Sequence, residues 1–374
     1  MKKLIALLLA LVMVLGLVAC GAKEDAPAAD TPVADAPVAD APAADAPAAD
    51  APAADAPAAD GAEDLNGKLG FFYAAPHPFG EGCKAGADAW AAENGIETNN
   101  MIGPDWELTT QMESLEAMIA DGCQVIGTFP MDAAVYDGLY EEKAAQGIIF
   151  NNLGWDSSGE SSAAEHLIST NIYNSAYKSM EFVGEKLGGE GNVMLAYEIL
   201  TDSAIQERKA AVEDYCKANP GVKIVAEAFD VKTAAEAAIK IENTLNANTG
   251  NIDAIVSLGA TCTQALVGTL TDYYDRGGEK MVVVGIDYDD VILQGLRDGI
   301  MDATVAQNNA GIGYIGMEVA KLQMEGYRAK EGKYHIDTGI VMVTNENIDT
   351  FMTELEAVTQ EIVATLTTEY MELK

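Results

Sequence analysis

The chain has 374 residues, 49% of them hydrophobic and 22% charged, so it is long enough for about two packed domains and too apolar for disorder throughout. A formal net charge of -37 excludes nucleic acid and anionic lipid surfaces as partners, because both would repel it. No Cys/His spacing suits a metal, and no cofactor is implied.

The first residues set the compartment. Lys2 and Lys3 form a positive start, Leu4 to Val18 an apolar run, and Leu17-Val18-Ala19-Cys20-Gly21 has the form of a bacterial lipobox. This predicts a signal peptide over 1–20, lipidation of Cys20, and an exported, extracytoplasmic protein held at the membrane by its lipid anchor only. A retained transmembrane helix is the weaker alternative, since the run is short for a span. From Ala26 to Asp60 the chain repeats APAAD or its TPVAD and APVAD variants, with proline at every fifth position. Proline at that density blocks helix and sheet, and one Asp per repeat adds self-repulsion, so residues 21–65 are expected to be a disordered, extended stalk. At ~3 Å per residue it would reach on the order of 100 Å. The remaining cysteines, Cys83, Cys123, Cys216 and Cys262, are expected as buried free thiols, with a disulfide as the alternative.

From Asn66 onward short apolar runs alternate with helical patterns, which indicates βαβ units. Strands are expected at Lys68–Ala75, Ile96–Ile102, Val125–Phe129, Ile148–Phe150 and His166–Thr170. Helices are expected over Cys83–Asn94, from Asp105 as cap through Ala120, and over Ala133–Ala145. The rhythm then restarts with strands Val193–Ile199, Ile224–Phe229 and Ala254–Leu258 between helices Ser203–Ala218, Thr233–Asn246 and Thr263–Tyr274. Met281–Ile286 and Ala303–Ala306 continue the second sheet, and Asn345–Lys374 reads as an amphipathic helix packed on a lobe. Asp287 and Gln307 end strands, and in open α/β sheets ligands bind beyond the carboxyl ends of the strands.

The stretches VVVGIDYDD and GIMDATVAQNNAGIGYIGMEVAKLQMEG resemble the periplasmic sugar-binding proteins of ABC importers, the ribose- and galactose-binding group that shares its core with LacI-type repressors. The resemblance runs over roughly residues 66 to 340. It implies two doubly wound parallel-sheet α/β lobes of the type I periplasmic binding protein fold, joined by a three-segment hinge. The chain would cross near Asn171, Gln307 and Thr338, giving one lobe from 66–170 with 308–337 and another from 171–307 with 338–374. The -37 charge and the lack of a basic helix-turn-helix set aside the repressor function.

Sugars ask for aromatic rings against their C–H faces and planar polar groups against their hydroxyls. The resemblance implies His77 as a polar contact and Phe79 as a stacking ring in Ala75-Pro76-His77-Pro78-Phe79, with Phe229 as the ring of the second lobe. It further implies Asn151, Asn152, Gln206, Asp287 and Gln307 as hydrogen-bonding contacts, while Trp155 is a further candidate ring. Where family members carry arginines near positions 152 and 206 this chain has amides, and Gly259-Ala260-Thr261 replaces a family Asn. The expected partners are a small sugar or polyol and an ABC permease with its ATPase, with a sensor kinase as a further candidate; the protein is expected to be a monomer without catalytic residues. A furanose signal or a nucleoside is an alternative ligand. An extracellular enzyme on the same scaffold is the rival reading, with Asp202, Asp230 and Asp287 as candidate carboxylates. Gly311-Ile312-Gly313-Tyr314-Ile315-Gly316 matches GxGxxG, but no acidic residue ends a strand ~20 positions on, so dinucleotide binding is set aside.

Overall fold

The computed structural model describes residues 64–157 and 162–374; the expected signal peptide, Cys20 and all but the last two stalk residues lie outside them. The first half builds β1 (Leu69–Tyr73), α1 (Pro78–Asn94), β2 (Asn99–Ile102), α2 (Leu108–Ala120), β3 (Val125–Thr128), α3 (Ala133–Ala144), β4 (Ile149–Leu153) and β5 (Leu167–Ser169). The second builds α4 (Ile172–Lys186), β6 (Gly191–Ala196), α5 (Ser203–Ala218), β7 (Val222–Ala228), α6 (Ala234–Ala247), β8 (Ala254–Ser257), α7 (Ala260–Asp275), β9 (Val282–Ile286), α8 (Asp290–Arg297) and β10 (Ala303–Gln307). The chain then adds α9 (Asn309–Met324), β11 (Tyr327–Ala329), β12 (His335–Asp337), β13 (Ile340–Val343), α10 (Phe351–Thr365) and, after a π-turn, β14 (Met371–Leu373).

Two six-stranded sheets result, ordered β12-β5-β4-β3-β1-β2 and β13-β10-β9-β8-β6-β7. The first is parallel throughout; the second is parallel except for β13, which runs antiparallel to β10 at the edge. LGFFY is buried along its length, and VVVGI from Val283 onward, because helices cover both faces of each sheet. In the first lobe one face packs Phe71, Trp90 and Ile315 and the other Phe72, Leu115 and Tyr140. The second lobe divides in the same way, with Leu266 and Leu296 on one side and Val183 and Val212 on the other.

Several elements begin later or end elsewhere than their patterns suggest. α1 starts at Pro78, where His77 caps it, rather than at Cys83. Asp105 accepts from the N–H of Glu107 at 3.0 Å and so closes the preceding turn, leaving Glu107 at the cap position of α2. β4 runs through Leu153, so Asn151 and Asn152 lie within the strand and not beyond it.

The glycines of the GxGxxG stretch serve helix packing. A Cβ on Gly313 would overlap the carbonyl of Cys83, and one on Gly86 the carbonyl of Ala310, so α1 and α9 meet backbone to backbone. That contact ties α9 to the lobe that holds α1.

The chain leaves one sheet for the other after β5, β10 and β12, each time from the carboxyl end of a parallel strand. The carboxyl edges of both sheets therefore border the same gap. The crossing segments are bonded to one another: Asn171 N–H donates to Asp337 Oδ1 at 2.9 Å, Thr338 N–H to the Ser169 carbonyl at 3.0 Å, and Asn308 Nδ2 to the Thr338 carbonyl at 2.8 Å.

The terminal segment departs from the expectation of a helix confined to the second lobe. Phe351 and Leu355 are buried in a second-lobe cluster, whereas Leu366 and Met371 are fully buried among first-lobe residues. β14 pairs with β11 there. The reason is the length of the apolar stripe, which outruns the second lobe and carries Ile362 and Val363 onto the first. Midway, Asn308 Nδ2 donates to Thr359 Oγ1 at 2.9 Å, binding α10 to a hinge segment.

Candidate interlobe binding site

On the first lobe the strand ends assemble a wall of rings. Tyr73 ends β1, and its ring lies 4.8 Å from Phe129, 5.8 Å from Trp106 and 6.2 Å from Trp155, centroid to centroid. Phe79, from the first turn of α1, stacks on Trp155 at 6.1 Å with 28° between the planes. Trp155 is held in place by donating Nε1–H to the Pro130 carbonyl at 2.8 Å. Tyr73 and Phe129 are buried, and burial pushes the Tyr73 phenol up to about 12, so the hydroxyl stays protonated. Trp106, in the loop between β2 and α2, stands 49% exposed, a large ring left open. His77 is exposed beside it, with centroids 6.3 Å apart and Nδ1 accepting from the Phe79 N–H. Thus His77, Phe79 and Trp155, each named from the sequence as a candidate contact, lie together on this edge, and Trp106, Tyr73 and Phe129 join them without having been singled out.

Asn151 and Asn152 do not contribute in that way. Asn151 and Gln323 of α9 exchange two amide hydrogen bonds, at 2.8 and 2.9 Å, and both are buried. Asn152, fully buried, accepts from Tyr140 and donates to Asp156 at 2.9 Å and to Tyr334 at 3.1 Å. Because β4 continues past them, their amides are spent inside the lobe.

The second lobe contributes charge. Asp287 follows β9 with φ +66°, a left-handed conformation that costs a non-glycine residue about 1–2 kcal/mol. Its backbone is fixed on both sides: the N–H donates to the Val305 carbonyl, and the carbonyl accepts from Thr304 Oγ1, each at 2.8 Å. Gln307 at the end of β10 donates Nε2–H to Asp287 Oδ1 at 2.5 Å, which brings these two strand-end candidates into contact. Burial raises the Asp287 carboxyl above its ordinary range, opposed by the Gln307 hydrogen bond and by the Arg208 charge.

Arg208 is buried on α5, donating Nη1–H to the Leu258 carbonyl at 3.0 Å, while its Nε is buried without a partner. Burial lowers its basicity, and Asp287, Glu198 and Asp202 act against that fall. Gln206 is exposed and donates to the Leu200 carbonyl at 2.9 Å, bracing its own loop. Phe229 is 45% exposed and stacks on Tyr197 at 5.5 Å and 16°, with its carbonyl accepting from Lys240. Asp202 caps α5 and Asp230 lies exposed near Lys240. These two carboxylates therefore have local occupations.

Among the described residues no cluster of His, Cys, Asp and Glu suits a metal ion, and Cys83, Cys123, Cys216 and Cys262 are free. No helix of the described residues is long and apolar enough to cross a membrane.

Two α/β lobes joined by several chain crossings, with strand carboxyl edges bordering one gap, define a hinged binding protein of the type I periplasmic class. The chain matches the periplasmic binding protein domain over residues 71–328, and it belongs to that family. It is 22% identical over 271 residues to a xylitol-binding protein of Mycolicibacterium smegmatis, covering 71% of this chain and 74% of that one. Among solved structures it is similar to an ABC transporter solute-binding protein of Burkholderia graminis in complex with D-arabinose, with a TM-score of 0.63, 22% identity, and coverage of 77% of this chain and 99% of that one. A periplasmic ribose ABC transporter protein from Conexibacter woesei gives a TM-score of 0.67 at 20% identity, covering 78% of this chain and 97% of that one.

Proposed function

We propose that this protein captures a small carbohydrate or polyol between its lobes and delivers it to an ABC permease driven by an ATPase. The observation that carries the reading is an aromatic wall on the edge of one lobe and a carboxylate–amide pair, Asp287 and Gln307, on the edge of the other. Rings cover the C–H face of a sugar, and the carboxylate and amide order its hydroxyls. The relatives named for xylitol and ribose, and the one solved in complex with D-arabinose, support a ligand of that size and chemistry. His77, Phe79, Trp106, Asp287 and Gln307 are the contacts proposed, with Phe229 as a further ring.

In this reading the protein is a monomer that changes no covalent bond. It is exported by the 1–20 signal, anchored through lipid on Cys20, and lifted from the membrane by the 21–65 stalk. Thermal unfolding of the chain from Gly61 against xylitol, D-ribose, D-arabinose, myo-inositol, hexoses and nucleosides tests the assignment. Ligand at ~100 times its dissociation constant should add ~2.7 kcal/mol, a rise of several degrees. A rise with one polyol class supports capture; no rise with any sugar or polyol overturns it. Recovery of a chemically altered ligand would favour the enzyme instead.

A further inference from the structure

Position 259 is glycine at the end of β8, where α7 begins, and its side-chain space is not open. A Cβ there would overlap the carboxylate of Glu198, which reaches over from the end of β6. Glu198 Oε1 accepts from the Cys262 N–H at 3.2 Å, in the first turn of α7. Its second oxygen, Oε2, is buried without a hydrogen-bond partner, as is Nε of the nearby Arg208. An unsatisfied buried polar atom costs about 1–3 kcal/mol, more when charged, and a folded chain retains such a group chiefly where something else completes it.

We infer that Glu198 is a ligand-binding, specificity-determining residue of the interlobe site, standing in the volume of a side chain at position 259 and accepting a ligand hydroxyl or amine through Oε2. The inference rests on the reading that the cleft binds a carbohydrate or polyol. Together with Asp287, Glu198 makes this edge of the second lobe a surface of acceptors. Arg208, the cation beside them, gives one Nη1–H to the Leu258 carbonyl and keeps Nε without a partner, so it offsets one of the two carboxylates and leaves the edge net negative. Such a surface recognises groups that donate hydrogen bonds. It rejects carboxylates and phosphates, which only accept and repeat the charge already present. The ligand is therefore an uncharged or amine-bearing polyol, not a sugar acid or sugar phosphate.

Two variants separate this role from a helix-capping one. Glu198→Gln keeps an oxygen for the Cys262 N–H and replaces the free acceptor with a donor. Calorimetry with xylitol, D-ribose, D-arabinose and myo-inositol is run on wild type and variant, with D-gluconate and D-ribose 5-phosphate as the anionic arm. The expected result is a wild-type complex with a neutral polyol and none with the anions. In Glu198→Gln that polyol binds roughly 10- to 100-fold more weakly, the loss of one charge-assisted hydrogen bond, with the melting temperature without polyol nearly unchanged. In the double variant Glu198→Ala with Gly259→Asp, a carboxylate returns to the same volume from the other strand, and the affinity rises above that of Glu198→Ala alone. Unchanged affinity in Glu198→Gln, or tight binding of an anion by wild type, overturns the inference while leaving carbohydrate capture standing. Failure of wild type to bind any polyol removes both.

Discussion

Asp287 holds two liabilities at once, and replacing it separates stability from binding. Its left-handed backbone, at φ +66°, is tolerated better by Asn than by Asp, and its carboxyl is raised by burial. A folded carboxyl raised above its unfolded value binds the extra proton between the two. The stability it lends is thus present below the ordinary carboxylate range and is lost as pH rises through that window. Asp287→Asn removes that loss, and Oδ1 of the new amide still accepts from Gln307. The worked expectation is a gain of about 1 kcal/mol at pH 7, a part of it from backbone strain and a part from the removed charge. In a chain of this size that is a rise of about 2–4 °C in melting temperature. The titration part should vanish when the scan is repeated at a pH below the ordinary carboxylate range, leaving only the backbone part. The same substitution should weaken polyol binding by about 1.5–3 kcal/mol, roughly 10- to 150-fold, because a charge-assisted acceptor is lost. Melting scans at the two pH values and calorimetry at pH 7 provide the readouts. A variant that melts lower than wild type at pH 7, or binds equally well, refutes the placement of this carboxylate as a strained, partly desolvated ligand contact.

Three other outcomes are expected. Trp106→Ala should weaken binding by about 1–2 kcal/mol in calorimetry and shift melting little, since the ring is half exposed. Gly313→Ala should lower stability by more than about 2 kcal/mol in urea titration, because the new methyl meets the Cys83 carbonyl and α1 must separate from α9. Asn308→Ala should cost about 2–3 kcal/mol by the same titration, since the Thr338 carbonyl and the Thr359 hydroxyl both lose a buried partner.

The alternation of strands and helices was legible because period and length differ sharply between a buried β-branched run and an amphipathic helix. Asp287 and Gln307 were legible for a related reason: a polar residue directly after such a run falls at the carboxyl edge. Asn151 and Asn152 misled because β4 extends through polar residues once Gln323, more than 170 positions away, is available to bond one of them. No local pattern announces a partner that distant. Glu198 was missed since an acidic residue after a strand looks like any solvated turn; only the glycine at 259, already conspicuous as a departure, hinted that its volume was filled from elsewhere. Trp106 lies in a loop with no periodicity to mark its direction.

The terminal helix changes what closure requires. Three adjacent crossings on their own would act as a flexible strap, and bending would be resisted mainly by the few hydrogen bonds among Ser169, Asn171, Asn308, Asp337 and Thr338. α10 adds a rigid element anchored in the second lobe by Phe351 and Leu355 and in the first by Leu366 and Met371. Gly339 lies against Val358 so closely that a Cβ would overlap it, which places a crossing segment directly on the helix. Any change of angle between the lobes must then either bend the helix near Thr359 or slide one anchored end. Both anchors are apolar and buried, so sliding is costly, and the π-turn at Leu366–Tyr370, which interrupts the regular hydrogen-bond ladder, itself carries the first-lobe anchor Leu366.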